Sequence, residues 1–504
     1  MTLIDMSELT SLTILEMREG LLKRDFSATE LTESHLRRIE ETNPVLNSFI
    51  SITGSVAREQ AQAAQKTIDT LREKSPLLTG IPVAIKDMLV TKDIETTCAS
   101  KMLGGFIPPY DATAVAKLKA EGAVIVGKTN LDEFAMGASN ENSFYGPVKN
   151  PWDLTRVPGG SSGGSAVAVA TGQAPAALGT DTGGSIRQPA SMSGTCGIKP
   201  TYGRVSRYGA VAFASSLDQI GAFARTMEDL AIVTRAISGH DDADSTSMNV
   251  PVPDYLAEIK AAQSWGLKGL RVGVPKEFFI PGMDRQVEEQ VRDSLKVLAS
   301  LGAELVEISL PHSELALPAY YILNPAEASS NFARFDGVRY GYRAQNYTSL
   351  TDMYERTRAE GFGKEVRRRI LVGTYVLSAG YYEAYYQKAQ QIRTLVIDDF
   401  KAAFANSCDV IAGPVAPTTA FTLGEKTDDP LQMYLADVFT VPLNLAGLPG
   451  LSVPCGLDDK KLPIGLQLIG GPFTESKLLQ VGAAFAAERK FDWQQIAAKK
   501  SFGA

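Results

Sequence analysis

The sequence predicts an α/β fold in which a β-sheet is covered by helices, with a helical segment at the N-terminus. Three stretches, 111–126, 297–310 and 405–412, each place a helical pattern before a short run of apolar, β-branched residues. Helices that alternate with short strands are typical of a sheet with helices packed on it. A fourth apolar run, 81–85, has the length and composition of a buried strand.

The segment 1–75 predicts helices only. Ser27 and Glu30 have the spacing of a capping box, in which each side chain bonds the other's backbone N–H at the start of a helix. We expect that helix to end near Asn43 and Pro44, because proline supplies no backbone donor. Residues 55–74, rich in Ala, Gln and Lys, predict a second helix.

The composition is that of a globular protein, with 44% apolar and 21% charged residues. A length of 504 residues allows roughly three domains. We predict one domain over 1–504, with a Gly/Ser-rich core over 80–221 and a polar surface loop at 239–254. Lys and Arg number 50 against 57 Asp and Glu, a net charge of −7. So acidic a chain is poorly suited to binding a nucleic acid backbone by itself.

The four cysteines, Cys98, Cys196, Cys408 and Cys455, form no C-x-x-C pair, so we expect neither a disulfide framework nor a zinc site. The first twenty residues lack the basic and apolar regions of a signal peptide. No apolar run reaches the length of about 18 residues that a membrane-spanning helix needs. We therefore expect a reduced, cytoplasmic protein.

The composition changes sharply between residues 158 and 221, where 13 glycines and nine serines fall within 64 residues. A flexible linker has a similar composition. This segment, however, also holds apolar runs and the charged residues Asp181, Arg187 and Lys199, which a linker does not need. We therefore predict an ordered, loop-rich active-site region.

Two glycine-rich motifs lie in this segment, 159–165 (GGSSGGS) and 181–185 (DTGGS). Glycines let several backbone N–H groups face one point, where they can hold a phosphate or the oxyanion of an acyl intermediate. A phosphate-binding loop of the Gly-x-x-x-x-Gly-Lys-Ser/Thr type needs a lysine that is absent after Gly164. The pattern therefore favours acyl transfer over nucleotide binding.

An attacking serine needs a base to accept its proton. A serine–histidine site is disfavoured, because His35, His240 and His312 lie in unrelated segments and we expect His35 to be a partly exposed residue of the N-terminal helix. Lysine can act instead where burial or a nearby cation lowers its pKa from about 10.4. Lys86, directly after the apolar run 81–85, is the candidate, although this segment alone favours a lysine that merely reaches solvent from a strand end.

Lys86, the loop 159–165 and the motif 181–189 (DTGGSIRQP) together resemble the amidase signature enzymes. The resemblance implies a large mixed sheet covered by helices on both faces and a Ser–Ser–Lys triad. In that triad Ser185 would be the acyl-forming nucleophile, Ser161 the bridging serine and Lys86 the base. A neutral lysine would accept the proton of Ser161, which would accept that of Ser185.

The same resemblance implies a cis peptide bond between Gly160 and Ser161. It also places an oxyanion hole at the backbone N–H groups of Thr182, Gly183 and Gly184, where two residues without side chains suit the role.

Four further polar residues of the region are assigned structural roles. We expect Ser162 and Ser165 to cap the start of a helix over 166–170. Asp181 and Arg187 are expected to provide hydrogen-bonding support and not to react.

Within this family, the chain resembles the glutamine-hydrolysing subunits of tRNA-dependent amidotransferases. The segments that carry this resemblance are 95–103, 199–209, 212–221, 327–343, 361–375 and 433–450. It implies a heterotrimer with B and C subunits, in which ammonia passes to the B subunit. The B subunit would use ATP and Mg²⁺ on mischarged Glu-tRNA(Gln), Asp-tRNA(Asn) or both, while the small C subunit would clamp the pair. Hydrolysis itself would need no cofactor, no metal and no membrane, and the partner would hold most of the tRNA.

Free glutamine carries an α-carboxylate and an α-ammonium, so its pocket should offer one cation and one carboxylate. The resemblance places the cation in the triplet 367–369, and we prefer Arg369 because it adjoins an apolar run; an arginine can bind a carboxylate through two hydrogen bonds. We assign Asp437 to the ammonium. The alternative interpretation for both is that they are solvent-exposed residues of a helix with no role in binding.

A cluster of four tyrosines offers a further alternative. We interpret it as a helix face packed in the core or against a partner, and not as a surface on which tRNA bases stack. Its members are Tyr381, Tyr382, Tyr385 and Tyr386.

Two other functions remain open from the sequence. A free-standing amidase of another small amide would share the triad and need no partner. A binding subunit that has lost the chemistry would have no reason to retain Lys86, Ser161 and Ser185.

Overall fold

A single mixed sheet of eleven strands organises the part of the chain that the computed structural model describes, namely residues 9–262, 266–497, 499 and 501–502. The strands are β1 Phe49–Ile52, β2 Pro82–Lys86, β3 Val124–Thr129, β4 Ala176–Thr180, β5 Cys196–Lys199, β6 Ile220–Ala224, β7 Arg271–Pro275, β8 Glu304–Ile308, β9 Val410–Pro414, β10 Gly450–Leu457 and β11 Pro463–Gly470. Their order across the sheet is β1-β3-β2-β4-β6-β5-β10-β11-β9-β7-β8. Two parallel groups, β3-β2-β4 and β9-β7-β8, flank an antiparallel centre.

Helices connect these strands along the chain. They are α1 Ile14–Lys23, α2 Ala28–Leu46, α3 Gly54–Leu71, α4 Thr113–Ala120, α5 Gly163–Ala170, α6 Arg187–Ser193, α7 Met227–Ile237, α8 Tyr255–Ala262, α9 Arg285–Ser300, α10 Ser313–Asn331, α11 Leu350–Gly361, α12 Lys364–Val376, α13 Lys388–Asn406, α14 Pro430–Tyr434, α15 Val441–Leu445, α16 Glu475–Arg489 and α17 Gln494–Ala497. A π-helical turn, Tyr382–Gln387, precedes α13.

Both faces of the sheet are covered, as predicted. Val410 and Ala412 of β9 belong to one hydrophobic cluster, while Ile411 between them belongs to another. Successive side chains of a strand point to opposite faces, so the two clusters lie on opposite sides of the sheet at β9. The first contains residues of α1 to α4 and α7 to α9; the second contains residues of α10, α13 and α15.

The topology brings Lys86 and the motif 181–185 to one edge of the sheet. Strand β2 is parallel to β4, with Ile85 opposite Leu178. The carboxyl ends of parallel neighbours meet on the same side of a sheet, which is where open α/β sheets bind ligands. Lys86 is the last residue of β2, and Thr180, the last of β4, is followed directly by the motif 181–185.

The N-terminal segment differs from the all-helical prediction in two respects; residues 1–8 lie outside the described residues. Strand β1 lies between α2 and α3, where we predicted helices only, because it pairs with β3 at the edge of the sheet. The capping box of Ser27 and Glu30 is present. Helix α2, however, does not end near Pro44: it continues to Leu46 and ends at Asn47, which adopts a left-handed conformation with φ +54°. The side chain of Asn43 exchanges hydrogen bonds with the backbone of Phe49, which secures the turn that follows.

The predicted exposure of His35 is wrong. This residue is fully buried, and its Nδ1 lies 3.1 Å from the carbonyl oxygen of Gly172. Burial, together with nearby Arg225, lowers the pKa of His35 to about 3. His35 is therefore a neutral structural residue.

The tyrosine cluster is not in the core of this chain. Tyr381, Tyr382 and Tyr385 are about two-fifths exposed, at 40%, 43% and 41%. Of the two packing sites we predicted, the core is excluded for these three residues. Among the described residues, no helix is both long and apolar enough to cross a membrane.

Candidate active site

Lys86 lies at the centre of a cluster of three hydroxyl groups. Its Nζ donates to Ser161 Oγ, Ser162 Oγ and Thr180 Oγ1, each at 2.8 Å. The lysine is fully buried, as are both serines. Three hydroxyls can accept hydrogen bonds from an ammonium. None of them carries a negative charge that would stabilise the protonated form of the lysine.

The environment favours the neutral form of this lysine. Burial lowers the pKa of Lys86 from 10.5 to about 7, and the carboxylates Asp132, Asp181 and Asp218 oppose this effect from a distance. No carboxylate in the described chain lies within salt-bridge distance of Lys86, in contrast to the buried Lys128, which pairs with Asp87 at 3.1 Å. Lys86 can therefore act as a base near neutral pH.

The hydrogen-bond pattern indicates which hydroxyl gives its proton to the neutral lysine. Ser162 Oγ donates to the carbonyl of Thr180 at 3.1 Å, and Thr180 Oγ1 donates to the sulfur of Met88 at 3.7 Å. Ser161 Oγ has no acceptor other than the lysine within the described structure. Its hydrogen is the one free to point at the lone pair of Lys86.

Ser185 is joined to the loop 159–165 through its backbone. The backbone N–H of Ser162 donates to the carbonyl of Ser185 at 3.3 Å, which joins the two motifs. Ser185 is 8% exposed, whereas Lys86 and Ser161 are fully buried. Ser185 is thus the most exposed of the three predicted triad residues. The peptide bond between Gly160 and Ser161 is cis, as the resemblance implied.

A buried ion pair holds the motif 181–185 in place. Arg187 donates from Nε and Nη2 to the Asp181 carboxylate at 3.1 and 3.0 Å, and Asn444 Nδ2 donates to Asp181 Oδ1 at 2.8 Å. Burial opposes ionisation, but the cation of Arg187 outweighs it and lowers the pKa of Asp181 to about 2. The supporting role predicted for Asp181 and Arg187 agrees with these contacts.

The backbone donors of the loop differ from one another. The N–H of Gly184 donates to Asp181 Oδ1 at 2.8 Å. In the described structure, the N–H groups of Thr182, Gly183 and Ser185 have no acceptor. Gly184 has φ +138°, and a Cβ there would collide with the Thr440 side chain, so this position requires glycine.

The predicted capping by Ser162 and Ser165 is wrong. Neither side chain bonds the first N–H groups of α5; Ser162 contacts Lys86 and Thr180, and Ser165 Oγ donates to the carbonyl of Leu178 at 2.9 Å. Asn130 and Asn140 accept from Gly164 N–H instead. The glycines at the helix start let these distant acceptors approach.

Arg369 lies on the buried side of α12. Its side chain is 5% exposed, and its Nε donates to Glu365 Oε1 at 2.9 Å. The guanidinium carbon lies 5.6 Å from the ring centre of Tyr321 and 5.7 Å from that of Tyr434. Burial opposes the charge, but Glu365 and the tyrosines together raise the pKa of Arg369, which stays a cation. Arg367 is exposed and Arg368 is half-buried.

Asp437 lies near this arginine without forming a salt bridge to it. The carboxyl is 7% exposed and accepts a hydrogen bond from the Tyr321 hydroxyl at 3.3 Å. Burial raises the pKa of Asp437 to about 8, although Arg369 counteracts it. Thr440 N–H and Oγ1 both donate to the carbonyl of Asp437, and Oγ1 also contacts the carbonyl of Gly183 at 2.6 Å.

A chain of contacts connects the Arg369 region to the motif 181–185. Thr440 joins the Asp437 segment to Gly183, and the Tyr320 hydroxyl lies against the same glycine. A cavity of about 60 Å³ opens beside Arg369, lined also by Ser139 and Tyr434. Ser139 Oγ is buried without a hydrogen-bond partner in the described chain.

Sequence reasoning missed several residues of the site. Thr180 could have been noticed as the strand residue directly before Asp181. The roles of Glu365, Tyr321 and Tyr434 left no local signal, because each depends on contacts between distant segments. Across the described ranges, no three His, Cys, Asp or Glu side chains are grouped as metal ligands would be.

Comparisons with known proteins agree with this geometry. The amidase family model matches residues 30–479. The A subunit of the glutamyl-tRNA(Gln) amidotransferase of Thermoanaerobacter pseudethanolicus is 58% identical over 485 residues, covering 96% of this chain and 98% of that protein. The structure of the A subunit of the glutamyl-tRNA(Gln) amidotransferase from Thermotoga maritima has a TM-score of 0.77 at 43% identity and covers 94% of each chain. Native peptide amidase from Stenotrophomonas maltophilia has a TM-score of 0.79 at 29% identity and covers 95% of this chain and 97% of its own. The chain therefore belongs to the amidase family.

Proposed function

We propose that this chain hydrolyses glutamine as the ammonia-producing subunit of a tRNA-dependent amidotransferase. The observation that carries the proposal is the buried Lys86, bonded to Ser161 in a loop that the backbone joins to the slightly exposed Ser185. It occurs in a chain 58% identical to the A subunit of a glutamyl-tRNA(Gln) amidotransferase. The triad supports amide hydrolysis as the reaction. The similarity to that subunit supports glutamine as the substrate and a multi-subunit assembly.

The chemistry follows from the protonation states. Neutral Lys86 accepts the proton of Ser161 as Ser161 accepts that of Ser185, and Ser185 Oγ attacks the amide carbon of glutamine. The lysine proton returns through Ser161 to the departing nitrogen, so that ammonia leaves and a γ-glutamyl ester remains on Ser185. Water, deprotonated by the same relay, then hydrolyses the ester to glutamate and restores the serine.

Backbone amides would stabilise the oxyanion of both steps. Because the N–H of Gly184 already donates to Asp181, we assign the oxyanion to the N–H groups of Thr182, Gly183 and Ser185. Of the three donors predicted from the sequence, Gly184 is thus replaced by the amide of the nucleophile itself.

The arrangement of Arg369 and Asp437 favours glutamine over a simple amide. A buried cation and a buried carboxyl that both contact Tyr321 match the α-carboxylate and α-ammonium of a free amino acid. A free-standing amidase is the second candidate, since peptide amidase from Stenotrophomonas maltophilia has the same fold. A simple amide would offer no carboxylate to the Nη groups of Arg369, which have no acceptor within the described residues.

The proposal extends to the assembly. The B and C subunits would complete a cytoplasmic heterotrimer, and the B subunit would bind ATP, Mg²⁺ and the mischarged Glu-tRNA(Gln) or Asp-tRNA(Asn). No metal or cofactor takes part in the amide hydrolysis that Lys86, Ser161 and Ser185 perform.

The pH dependence of hydrolysis has a defined sign. The base works when Lys86 is neutral, above its pKa of about 7, and Asp437 binds an ammonium when ionised, above its pKa of about 8. We expect kcat/KM for glutamine to rise with pH through this range, measured by ammonia release in buffers of constant ionic strength. A profile that falls between pH values of about 6 and 8 would contradict both assignments.

Ammonia release also separates the two candidates. The chain is assayed alone and then with the B and C subunits, ATP and Glu-tRNA(Gln). We expect weak glutaminase activity alone and a strong increase in the full mixture. Full activity alone, with broad amide tolerance and no response to tRNA, would favour the free-standing amidase.

A further inference from the structure

Glu365 joins three side chains at the edge of the site. Its Oε1 accepts from Arg369 Nε at 2.9 Å and from the Tyr434 hydroxyl at 3.3 Å, and its Oε2 accepts from Arg368 Nη1 at 2.7 Å. The side chain of Glu365 is 11% exposed. Ion pairs between residues four apart are common on helix surfaces and contribute little, but this pair is buried.

The same carboxylate is connected to Asp437 through two stacked rings. Tyr434, which donates to Glu365, stacks on Tyr321 with ring centres 3.7 Å apart and an angle of 18°. Tyr321 in turn donates to Asp437. Glu365 therefore contacts Arg369 directly and is linked to Asp437 through the stacked rings of Tyr434 and Tyr321.

This arrangement leaves one side of the guanidinium available. Arg369 Nε is occupied by Glu365, and neither Nη1 nor Nη2 has an acceptor within the described residues. The centres of the Tyr321 and Tyr434 rings lie 5.6 and 5.7 Å from the guanidinium carbon. Two parallel N–H groups in a fixed plane are the geometry that binds a carboxylate through two hydrogen bonds.

We infer that Glu365 is a positioning residue that orients the free Nη groups of Arg369 towards the substrate α-carboxylate, and thereby sets the preference for a free amino acid amide over a simple amide. The inference rests on the proposed function, because it assumes that glutamine is the substrate. Glu365 touches neither the scissile amide nor the triad. Its effect is on substrate binding, transmitted through Arg369 and the tyrosine pair.

Without Glu365, Arg369 would keep its charge but lose its fixed direction. Binding of a carboxylate would then require the side chain to be ordered at each encounter, which raises KM. The chemical step would change little, since the bonds of Lys86 and Asp181 do not involve α12. An amide without an α-carboxylate would not be affected by the loss.

The test compares two substrates on three variants of the chain in the assembled complex. Glutamine carries both charged groups, and 4-aminobutanamide is glutamine without the α-carboxylate. Glu365→Ala removes all three bonds, and Glu365→Gln retains an acceptor for Arg369 without the charge. Glu355→Ala is the matched control, an exposed glutamate on the preceding helix α11. Thermal unfolding of each variant reports its folding.

We expect Glu365→Ala to lower kcat/KM for glutamine by about 10- to 100-fold, mainly through KM, as loss of a binding contact does. Activity on 4-aminobutanamide should stay within about twofold of the unsubstituted chain, Glu365→Gln should lose less than Glu365→Ala, and Glu355→Ala should match the unsubstituted chain. The ratio of kcat/KM for glutamine to kcat/KM for 4-aminobutanamide should therefore fall in Glu365→Ala.

Equal losses on both substrates would overturn the inference, since they would mark a general structural role. So would an unchanged KM for glutamine in a folded Glu365→Ala chain. A failure of the proposed function would look different: the unsubstituted chain itself would then show no preference for glutamine over 4-aminobutanamide.

Discussion

Replacing Ser185 with alanine is expected to reduce glutamine hydrolysis by about 10⁴-fold or more, since removal of a nucleophile abolishes the covalent route. Ser185 Oγ makes no hydrogen bond within the described structure, so the substitution removes no internal contact and should leave the fold intact. Ammonia release from glutamine and thermal unfolding of the same preparation measure the two effects separately.

The assembled enzyme provides an internal control for Ser185→Ala. The B subunit would use free ammonia directly, so ammonia-dependent transamidation should persist when glutamine-dependent transamidation is lost. Loss of both activities in a folded complex would count against the division of labour proposed here. Retention of glutaminase activity would remove Ser185 from the mechanism.

Replacing Lys86 is the second change with a large expected effect. Lys86→Met keeps the length of the side chain and removes the base, and we expect glutaminase activity to fall about 10³-fold or more. Lys86→Arg should be as inactive, because the guanidinium stays protonated at all accessible pH values and cannot accept the proton of Ser161. Initial rates of glutamine hydrolysis measure both.

The pair of variants tests the role of the lysine proton. Adding ammonia should restore transamidation for either variant, as for Ser185→Ala. A Lys86→Arg chain with substantial activity would show that the positive charge, and not the base, is what the site needs from residue 86.

Local sequence patterns predicted the structure correctly where the interacting residues are close in the chain. The capping box of Ser27 and Glu30 depends on residues three apart, and the structure contains it. Lys86 could be placed at a strand end because an apolar run precedes it. The edge that Lys86 shares with the motif 181–185 follows from parallel pairing of β2 and β4.

The predictions were wrong where contacts with distant segments determine the environment of a side chain. Ser162 and Ser165 have the residue type and position of helix caps, but the ends of β2 and β4 offer them Lys86 and backbone carbonyls instead. His35 is on an amphipathic helix whose polar side is covered by the chain around Gly172. The sequence around these residues gives no sign of either set of distant contacts.

The substrate side of the site was only partly predictable. We assigned Arg369 and Asp437 from the sequence, but the residues that contact them are far apart in the chain. Tyr321 comes from α10, Glu365 from α12 and Tyr434 from α14, and they meet only after the helices pack on the sheet. No pattern along the chain relates them.

Trapping of the acyl-enzyme shows which residue attacks glutamine. The complex is mixed with glutamine, quenched in acid within the turnover time, and digested for peptide mass analysis. We expect the peptide containing Ser185 to carry the added mass of a γ-glutamyl group, with none in Ser185→Ala and none when glutamine is omitted. Rapid ammonia release with a glutamyl group on another residue, or on none, would contradict nucleophilic attack by Ser185.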